Sequence, residues 1–121
     1  MTFFDFKRSG KSFIYAARGI KTVWKEEQNF RFHSVAAILV LFLAIILRVE
    51  RLEFIILILV IGSVLILELV NTMFERLIDI LKPRVHDYSK VIKNISSGIV
   101  FLVAVMSVVV GVIIFYPYIF L

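Results

Sequence analysis

The residues best suited to chemistry lie in the segment ELVNTMFERLID, residues 68–79, at the end of a long apolar run. Its polar members recur every three or four positions: Glu68, Asn71, Thr72, Glu75 and Asp79. On an α-helix this spacing places all five on one face. Glu68 and Glu75 then stand two turns, about 10.5 Å, apart along the helix axis. We call this row of side chains the polar stripe.

A row of acids in an apolar segment predicts a function, because a carboxylate near the bilayer centre costs about 3 kcal/mol. The polar stripe suits a proton or ion pathway. It also suits a site that holds Mg²⁺ against phosphates, since Mg²⁺ typically takes one or two carboxylates plus substrate oxygens. The simpler alternative is ion pairing within a helix bundle, with Arg76, Lys90 or Lys93 as the partner. For Glu75 and Asp79, nearer the water, a solvated helix face is also open.

Two further charged clusters flank the apolar segments. Glu26 and Glu27 precede the first segment, where a solvated pair is the default interpretation. Lys90 and Lys93 stand at the beginning of the last segment. They are either lysines whose stems lie along apolar surface while their charges reach water, or contacts for an ATP phosphate.

Several common catalytic and metal-binding signatures are absent from the sequence. It contains no cysteine, which excludes disulfides and thiolate metal sites. His33 and His86 are too few and too scattered for a zinc site, and each is better explained as an interface residue. Neither a G-x-x-x-x-G-K-[ST] loop nor the protein-kinase motifs occur. A nucleotide enzyme of this sequence must therefore handle phosphate by another route.

The composition is that of a membrane protein. Hydrophobic residues occupy 61% of the 121 positions and the mean hydropathy is +1.00, whereas soluble domains are about 45–50% apolar. The net charge is +5, but the basic residues flank apolar runs and form no separate face, so a nucleic-acid partner is not predicted. The first 30 residues contain no continuous apolar core of a signal peptide, so we expect the N-terminus to be retained.

The elements that must position these residues are a surface helix and three membrane spans in a single domain, residues 1–121. Near the N-terminus, apolar residues recur at helical spacing opposite a basic side, which predicts a helix lying in the headgroup layer. The alternative is a soluble amphipathic helix packed on a partner. Three apolar segments that can span a bilayer follow. The predicted all-α integral membrane fold thus comprises a surface helix at 1–30 and spans at 32–49, 53–81 and 89–118.

The distribution of lysine and arginine predicts the orientation. Residues 1–31 hold seven, the turn at 48–53 holds two and residues 76–93 hold five. The positive-inside rule then places the N-terminus and the second connection in the cytoplasm. Pro83 disfavours helix in the residue before it, so the second span is expected to end near Leu81–Lys82. The polar stripe emerges on the cytoplasmic side, where nucleotides are found.

The polar stripe resembles the E-x-x-N-[ST]-x-x-E-x-x-x-D signature of the small bacterial membrane diacylglycerol kinases and undecaprenol kinases. The likeness continues through ARGI at 17–20, EQNFRFH at 27–33, the H…K…K spacing at 86–93 and GVIIFYP near the C-terminus. NFRFH and GVIIFYP are more similar to the Gram-positive undecaprenol kinases than to the Gram-negative diacylglycerol kinases.

This resemblance implies an ATP-dependent phosphorylation of a lipid alcohol in the bacterial inner membrane. It also implies a homotrimer whose active sites are shared between neighbouring subunits and bind MgATP at the cytoplasmic face. By position, Glu68 matches the general base, Glu27 and Glu75 match the acids that bind Mg²⁺, and Asn71 and Thr72 lie beside the acceptor. The residues that the resemblance places around the nucleotide are Arg8, Tyr15, Gly19, Glu27, Glu75, Asp79, His86, Lys93 and Asn94.

One position departs from the family's pattern. The family usually has Lys-Asp where this chain has Lys93-Asn94, which keeps a carbonyl acceptor but loses a negative charge and gains an amide donor. We expect this difference to affect nucleotide preference or affinity. Undecaprenol is the expected acceptor, and diacylglycerol is the alternative. From other classes, a small oligomeric transporter with Glu68 as its coupling acid and a non-catalytic membrane subunit remain open.

Overall fold

The computed structural model describes residues 5–121, and in this part of the chain it confirms the predicted all-α fold. The four helices are α1 (Phe6–Glu26), α2 (Gln28–Leu47), α3 (Arg51–Leu81) and α4 (His86–Phe120). Of these, α2, α3 and α4 are each long and apolar enough to cross a membrane. Residues 1–4 of the predicted surface segment lie outside the described residues.

The connections between the spans follow from local backbone preferences. α2 ends at Leu47, and Arg48 adopts the left-handed conformation (φ 54°) that often terminates a helix. Val49, which the predicted span 32–49 includes, therefore lies beyond α2. α3 ends at Leu81, two residues before Pro83, whose ring disfavours helix in the residue ahead of it. Where the bilayer boundaries fall within these helices stays a prediction.

The first helix lies on the surface of the bundle. None of its residues is buried, and its exposed apolar side chains are Phe6, Phe13, Ile14, Tyr15, Ile20 and Trp24. Exposed aromatic and aliphatic residues on a helix that also carries many lysines and arginines are typical of a helix in the headgroup layer. The prediction that this helix lies on a membrane surface is consistent with this exposure.

Arg31 of α2 fixes the end of α1. Its guanidinium donates hydrogen bonds to the backbone carbonyls of Trp24 at 3.0 Å and Lys25 at 2.8 Å. Carbonyls in the last turn of a helix lack partners within the helix, and a cation also suits the negative end of the helix dipole. The surface helix is therefore attached to the beginning of the first span.

The three long helices meet in a small core at the end of the bundle opposite the polar stripe. Ala44, Leu57 and Ile114 are buried together there. The hydroxyl of Tyr118 accepts a hydrogen bond from the backbone N–H of Glu50 at 3.2 Å and donates one to Glu53. The two glutamates also form the capping box that begins α3. These contacts fix α4 against α3 and thereby set which residues of α4 face the stripe.

Candidate active site

The polar stripe lies along α3 with a gradient of burial. Glu68 and Thr72 are each 5% exposed, Asn71 and Glu75 are half-buried, and Asp79 is exposed. One helix thus carries an enclosed carboxylate at one end of the stripe and an open one at the other. Such a gradient can separate an apolar reactant from a water-soluble one.

Glu68 is bonded to a histidine of α2. Nδ1 of His33 and Oε1 of Glu68 form a hydrogen bond. The side chain of His33 is 30% exposed, whereas that of Glu68 is 6% exposed. The other carboxylate oxygen, Oε2, is buried and has no hydrogen-bond partner within residues 5–121. In this part of the chain, the imidazole is therefore the hydrogen-bond partner of the Glu68 carboxyl group.

Two side chains of α4 reach the middle and the outer end of the stripe. The hydroxyl of Ser96 donates to Oδ1 of Asn71 at 2.6 Å, and Nδ2 of Asn71 donates to Oε1 of Glu75 at 3.4 Å. Nζ of Lys93 donates to Oδ1 of Asp79 at 2.7 Å. Asp79 thus forms an ion pair within the bundle, which was the simpler alternative for the stripe. Glu75 accepts a hydrogen bond from the amide of Asn71 and forms no ion pair in the described part of the chain.

Thr72 uses its hydroxyl within its own helix. The hydroxyl donates to the backbone carbonyl of Glu68 at 3.0 Å, a bond to the preceding turn that threonine often makes in helices. The role of Thr72 beside the acceptor stays a prediction.

The acidic doublet lies where α1 meets α2, against α3. Glu26 forms an ion pair with Arg76 of α3. Glu27 follows Glu26, is half-buried, and forms no ion pair in the part of the chain that the structure describes. Glu75 precedes Arg76. Glu27 and Glu75, the predicted Mg²⁺ acids, are thus each adjacent in sequence to one member of the Glu26–Arg76 ion pair.

This donor set suits a metal ion that arrives with a nucleotide. Among residues 5–121, no group of three or more acidic or histidine side chains is arranged to hold a metal ion by itself. A Mg²⁺ ion bound to a triphosphate needs only one or two protein carboxylates. The described residues thus do not form a metal cage by themselves, and the role of Glu27 and Glu75 in holding Mg²⁺ beside phosphate oxygens stays a prediction.

A polar cleft of about 600 Å³ lies at the connection between α3 and α4. Its lining residues are Lys82, His86, Asp87, Ser89, Lys90, Lys93 and Asn94. Three of the predicted nucleotide residues, His86, Lys93 and Asn94, thus share one basic cleft. Lysines suit phosphate as compact, strongly hydrated charges with several donors.

The predicted nucleotide residues of α1 do not line this cleft. Arg8, Tyr15 and Gly19 are exposed. Within residues 5–121, no hydrogen bond or ion pair joins the side chains of Arg8 and Tyr15 to the cleft or to the polar stripe. Gly19 has no side chain with which to form such a bond, and the role of all three residues at the nucleotide stays a prediction.

An apolar groove of about 520 Å³ runs between α2, α3 and α4. His33 lines it near the beginning of α2, and Phe120 lines it at the end of α4. Glu68 itself does not line this groove. The histidine that is hydrogen-bonded to Glu68 thus also lines the groove.

Sequence reasoning missed His33 and Ser96 as members of the site. His33 was interpreted as an interface residue, yet it contacts the enclosed acid of the stripe. One signal was available, because adjacent antiparallel spans bring residues early in α2 level with residues late in α3. Ser96 also follows Lys93 by three positions, so the two residues share one face of α4.

The sequence is similar to those of known proteins. The sequence pattern of the prokaryotic diacylglycerol kinase family matches residues 14–115. The undecaprenol kinase of Bacillus subtilis (strain 168) is 36% identical over 113 residues, which cover 93% of this chain and 92% of that protein. A diacylglycerol kinase of Synechocystis sp. is 34% identical, covering 83% of this chain and 58% of that protein. The diacylglycerol kinase of Escherichia coli (strain K12) is 28% identical, covering 86% and 85%.

Proposed function

The chain belongs to the prokaryotic diacylglycerol kinase family, and on this premise we propose that it transfers the γ-phosphoryl group of ATP to undecaprenol. Family membership confirms the predicted lipid kinase, and a kinase implies the use of ATP. The observation that carries the proposal is the enclosed Glu68, bonded to a histidine that lines an apolar groove. The likeness to the undecaprenol kinase of Bacillus subtilis supports the choice of acceptor.

Diacylglycerol is the second candidate acceptor. Relatives from Synechocystis and Escherichia coli that are named diacylglycerol kinases favour it. Both candidates present one hydroxyl on a large apolar body, so the same reactive groups serve either one. The acceptors differ in the shape of the apolar part, which a groove lined mainly by aliphatic side chains distinguishes only weakly.

The acceptor side of the reaction needs a base that remains in the apolar layer. Phosphoryl transfer depends on positioning and charge stabilisation more than on covalent catalysis. We assign the base to the carboxylate of Glu68 together with the imidazole of His33 that is bonded to it. Asn71, one turn further along the stripe, is held by Ser96 between this base and Glu75.

The nucleotide side uses the water-exposed end of the stripe. Glu27 and Glu75 would hold Mg²⁺, which supplies neutralisation of the triphosphate charge when bound. Lys93 offsets phosphate charge by leaving Asp79 for the nucleotide. This exchange costs little, because solvent screens an ion pair as exposed as this one.

We also propose that the protein acts as a homotrimer in the bacterial inner membrane, with the N-terminus and the polar cleft in the cytoplasm. The uneven distribution of lysine and arginine supports this orientation. Large apolar side chains are exposed on all three long helices, such as Phe42, Leu59 and Phe101. These faces are available for lipid or for neighbouring subunits.

A direct assay compares the two acceptors. The purified protein is placed in lipid bilayers with γ-labelled ATP and Mg²⁺, and undecaprenol or diacylglycerol is added at equal mole fraction. We expect kcat/KM to favour undecaprenol by about ten-fold or more, a difference of roughly 1.4 kcal/mol in the transition state.

The outcome for each lipid has a defined meaning. A preference for diacylglycerol would assign the alternative acceptor. No phosphorylated lipid with either alcohol, at any divalent metal tried, would contradict the proposed reaction. Water as the sole acceptor, seen as phosphate release without labelled lipid, would contradict it as well.

A further inference from the structure

We infer that Ser96 of α4 is a positioning residue for the proposed phosphoryl transfer. Its hydroxyl fixes the side-chain amide of Asn71, and that amide in turn holds the carboxylate of Glu75. The inference rests on the proposed function, because it assigns a role within that reaction. It follows from the two hydrogen bonds that meet at Asn71 and from the place of this amide in the polar stripe.

Both ends of the Asn71 amide are bonded to neighbouring side chains. Oδ1 accepts a hydrogen bond of 2.6 Å from the hydroxyl of Ser96, and Nδ2 donates one of 3.4 Å to Oε1 of Glu75. The bond from α4 is short, whereas the bond within α3 is long for a hydrogen bond of this kind. The hydroxyl of Ser96 is therefore the stronger of the two restraints on the amide.

The side-chain torsions of asparagine do not supply this orientation by themselves. The terminal χ2 of asparagine is broad and roughly two-fold, so the amide has no single sharp minimum. Within residues 5–121, the amide of Asn71 forms no hydrogen bond other than those with Ser96 and Glu75. Removal of the Ser96 hydroxyl thus leaves Oδ1 without a protein partner in this part of the chain and frees the amide to turn away from Glu75.

Helix packing brings Ser96 to the stripe. Ser96 follows Lys93 by three residues and lies on the same face of α4, and Lys93 is hydrogen-bonded to Asp79 at the outer end of the stripe. Because a serine side chain is short, its bond to Asn71 needs a close approach of α3 and α4 at this level. Ser96 and Asn71 are both half-buried, whereas Asp79 is exposed. The Ser96–Asn71 bond is therefore the more enclosed of the two contacts.

Asn71 lies where positioning affects the proposed reaction. It is about one helical turn from Glu68, the proposed base, and about one turn from Glu75 on the nucleotide side. Phosphoryl transfer depends on positioning more than on covalent catalysis, and a misplacement of about 1 Å can cost about 10²-fold in rate. An amide that turns freely at this point therefore slows transfer, although no reacting group has been removed.

Three substitutions at Ser96 separate the effect of the hydroxyl from that of side-chain shape. Ser96→Ala and Ser96→Val remove the hydroxyl, whereas Ser96→Thr keeps it and is similar in shape to valine. In bilayers with γ-labelled ATP and undecaprenol, we expect the first two to lower kcat by about ten-fold or more and Ser96→Thr to restore most of it. Ser63→Ala is the control, because the Ser63 hydroxyl bonds the carbonyl of Leu59 within its own helix. This control should keep the wild-type rate.

A double-mutant cycle tests whether Ser96 acts through Asn71. Asn71→Ala removes the amide, so in this background Ser96→Ala should lower kcat no further. The side-chain amide signal of Asn71, observed by NMR in protein labelled at asparagine and assigned by its loss in Asn71→Ala, gives a measurement that needs no activity. Ser96→Ala should shift this signal, whereas Ser63→Ala should leave it unchanged.

The contrary outcomes distinguish this inference from the proposed function. Circular dichroism and thermal unfolding establish that each variant folds, and Ser96→Ala with its Ser96→Thr rescue carries the comparison if Ser96→Val does not fold. An active wild type whose kcat changes by less than about three-fold in Ser96→Ala would overturn this inference alone. Equal losses of rate with and without Asn71, or equal losses in Ser96→Thr and Ser96→Val, would also overturn it. A wild type that phosphorylates no lipid would contradict the proposed function and, with it, this role.

Discussion

His33 and Glu68 lie 35 positions apart in the sequence and are hydrogen-bonded side chain to side chain, one on α2 and the other on α3. Among the hydrogen bonds between side chains in residues 5–121, this one joins α2 to α3, whereas those of Ser96 and Lys93 join α4 to α3. It places a titratable ring between an enclosed carboxylate and an apolar groove. The same contact therefore contributes to packing and defines the acceptor side of the proposed reaction.

Removal of a Mg²⁺ acid should change the metal requirement. We predict that Glu75→Gln and Glu27→Gln each raise the Mg²⁺ concentration for half-maximal activity by about ten-fold or more. The reason is that each variant removes one of the two carboxylates that complete the ion's coordination beside the triphosphate. Steady-state assays over a range of Mg²⁺ concentrations measure the change.

Glu26→Gln is the matched control for the metal prediction. It removes a carboxylate next to Glu27 that is already paired with Arg76. Loss of this half-exposed ion pair should cost about 0–1 kcal/mol of stability and leave the Mg²⁺ requirement unchanged. A metal requirement that rises equally in all three variants would contradict the assignment to Glu27 and Glu75.

Lys93 should matter for the nucleotide more than for stability. Lys93→Met removes a charged donor from the basic cleft, a bond worth about 1.5–3 kcal/mol, so KM for ATP should rise by about ten-fold or more. The ion pair to Asp79 is exposed and screened by solvent, so the free energy of unfolding should change little. Arg51→Met, which removes an exposed charge at the opposite end of α3, is the control. An unchanged KM for ATP in Lys93→Met would exclude the phosphate contact.

Two glycines of α1 provide a comparison within one helix. A methyl group added at Gly10 or at Gly19 would meet no atom within 4 Å. Alanine in a helix interior is favoured over glycine by about 0.5–1 kcal/mol, so neither Gly10→Ala nor Gly19→Ala should destabilise the fold. We predict that only Gly19→Ala raises KM for ATP, because only Gly19 is placed at the nucleotide by the resemblance. Equal kinetics in the two variants would argue against that placement.

The attachment of α1 should depend on Arg31. Arg31→Met removes both hydrogen bonds to the carbonyls of Trp24 and Lys25, leaving two groups at the helix end without protein partners. We predict faster amide hydrogen exchange in residues 20–26 and a shift in the fluorescence of Trp24, the single tryptophan. Arg18→Met removes the same charge from the middle of α1 and should leave both signals unchanged. Unaltered exchange in Arg31→Met would contradict the capping role.

The sequence was sufficient to predict the helices and the stripe. Uninterrupted apolar segments of this length form helices in a bilayer, because every backbone polar group must be satisfied within the segment. Pro83 indicated where α3 ends, and the spacing of three and four residues placed the acids on one face. Each of these inferences needs only local geometry.

The partners of the stripe could not be predicted in the same way. α2 is apolar on nearly all sides, so its pattern does not indicate which face turns toward α3, and His33 could not be assigned a neighbour. Ser96 depends likewise on the rotation of α4, which contacts such as that of Tyr118 help to fix. Arg76 was one candidate partner for the stripe, but it bonds Glu26. These pairings depend on how helices pack together, which a single sequence does not specify.

We propose that the enclosed Glu68, acting with His33, activates the lipid hydroxyl for attack on ATP. The most direct test is the single-turnover rate of transfer from γ-labelled ATP to undecaprenol in bilayers. Glu53→Gln serves as the control on the same helix, since glutamine can also complete a capping box. We predict that Glu68→Gln lowers the rate by about 10²–10⁴-fold while an ATP analogue still binds, and that Glu53→Gln keeps it. Transfer by Glu68→Gln at the wild-type rate would contradict the account.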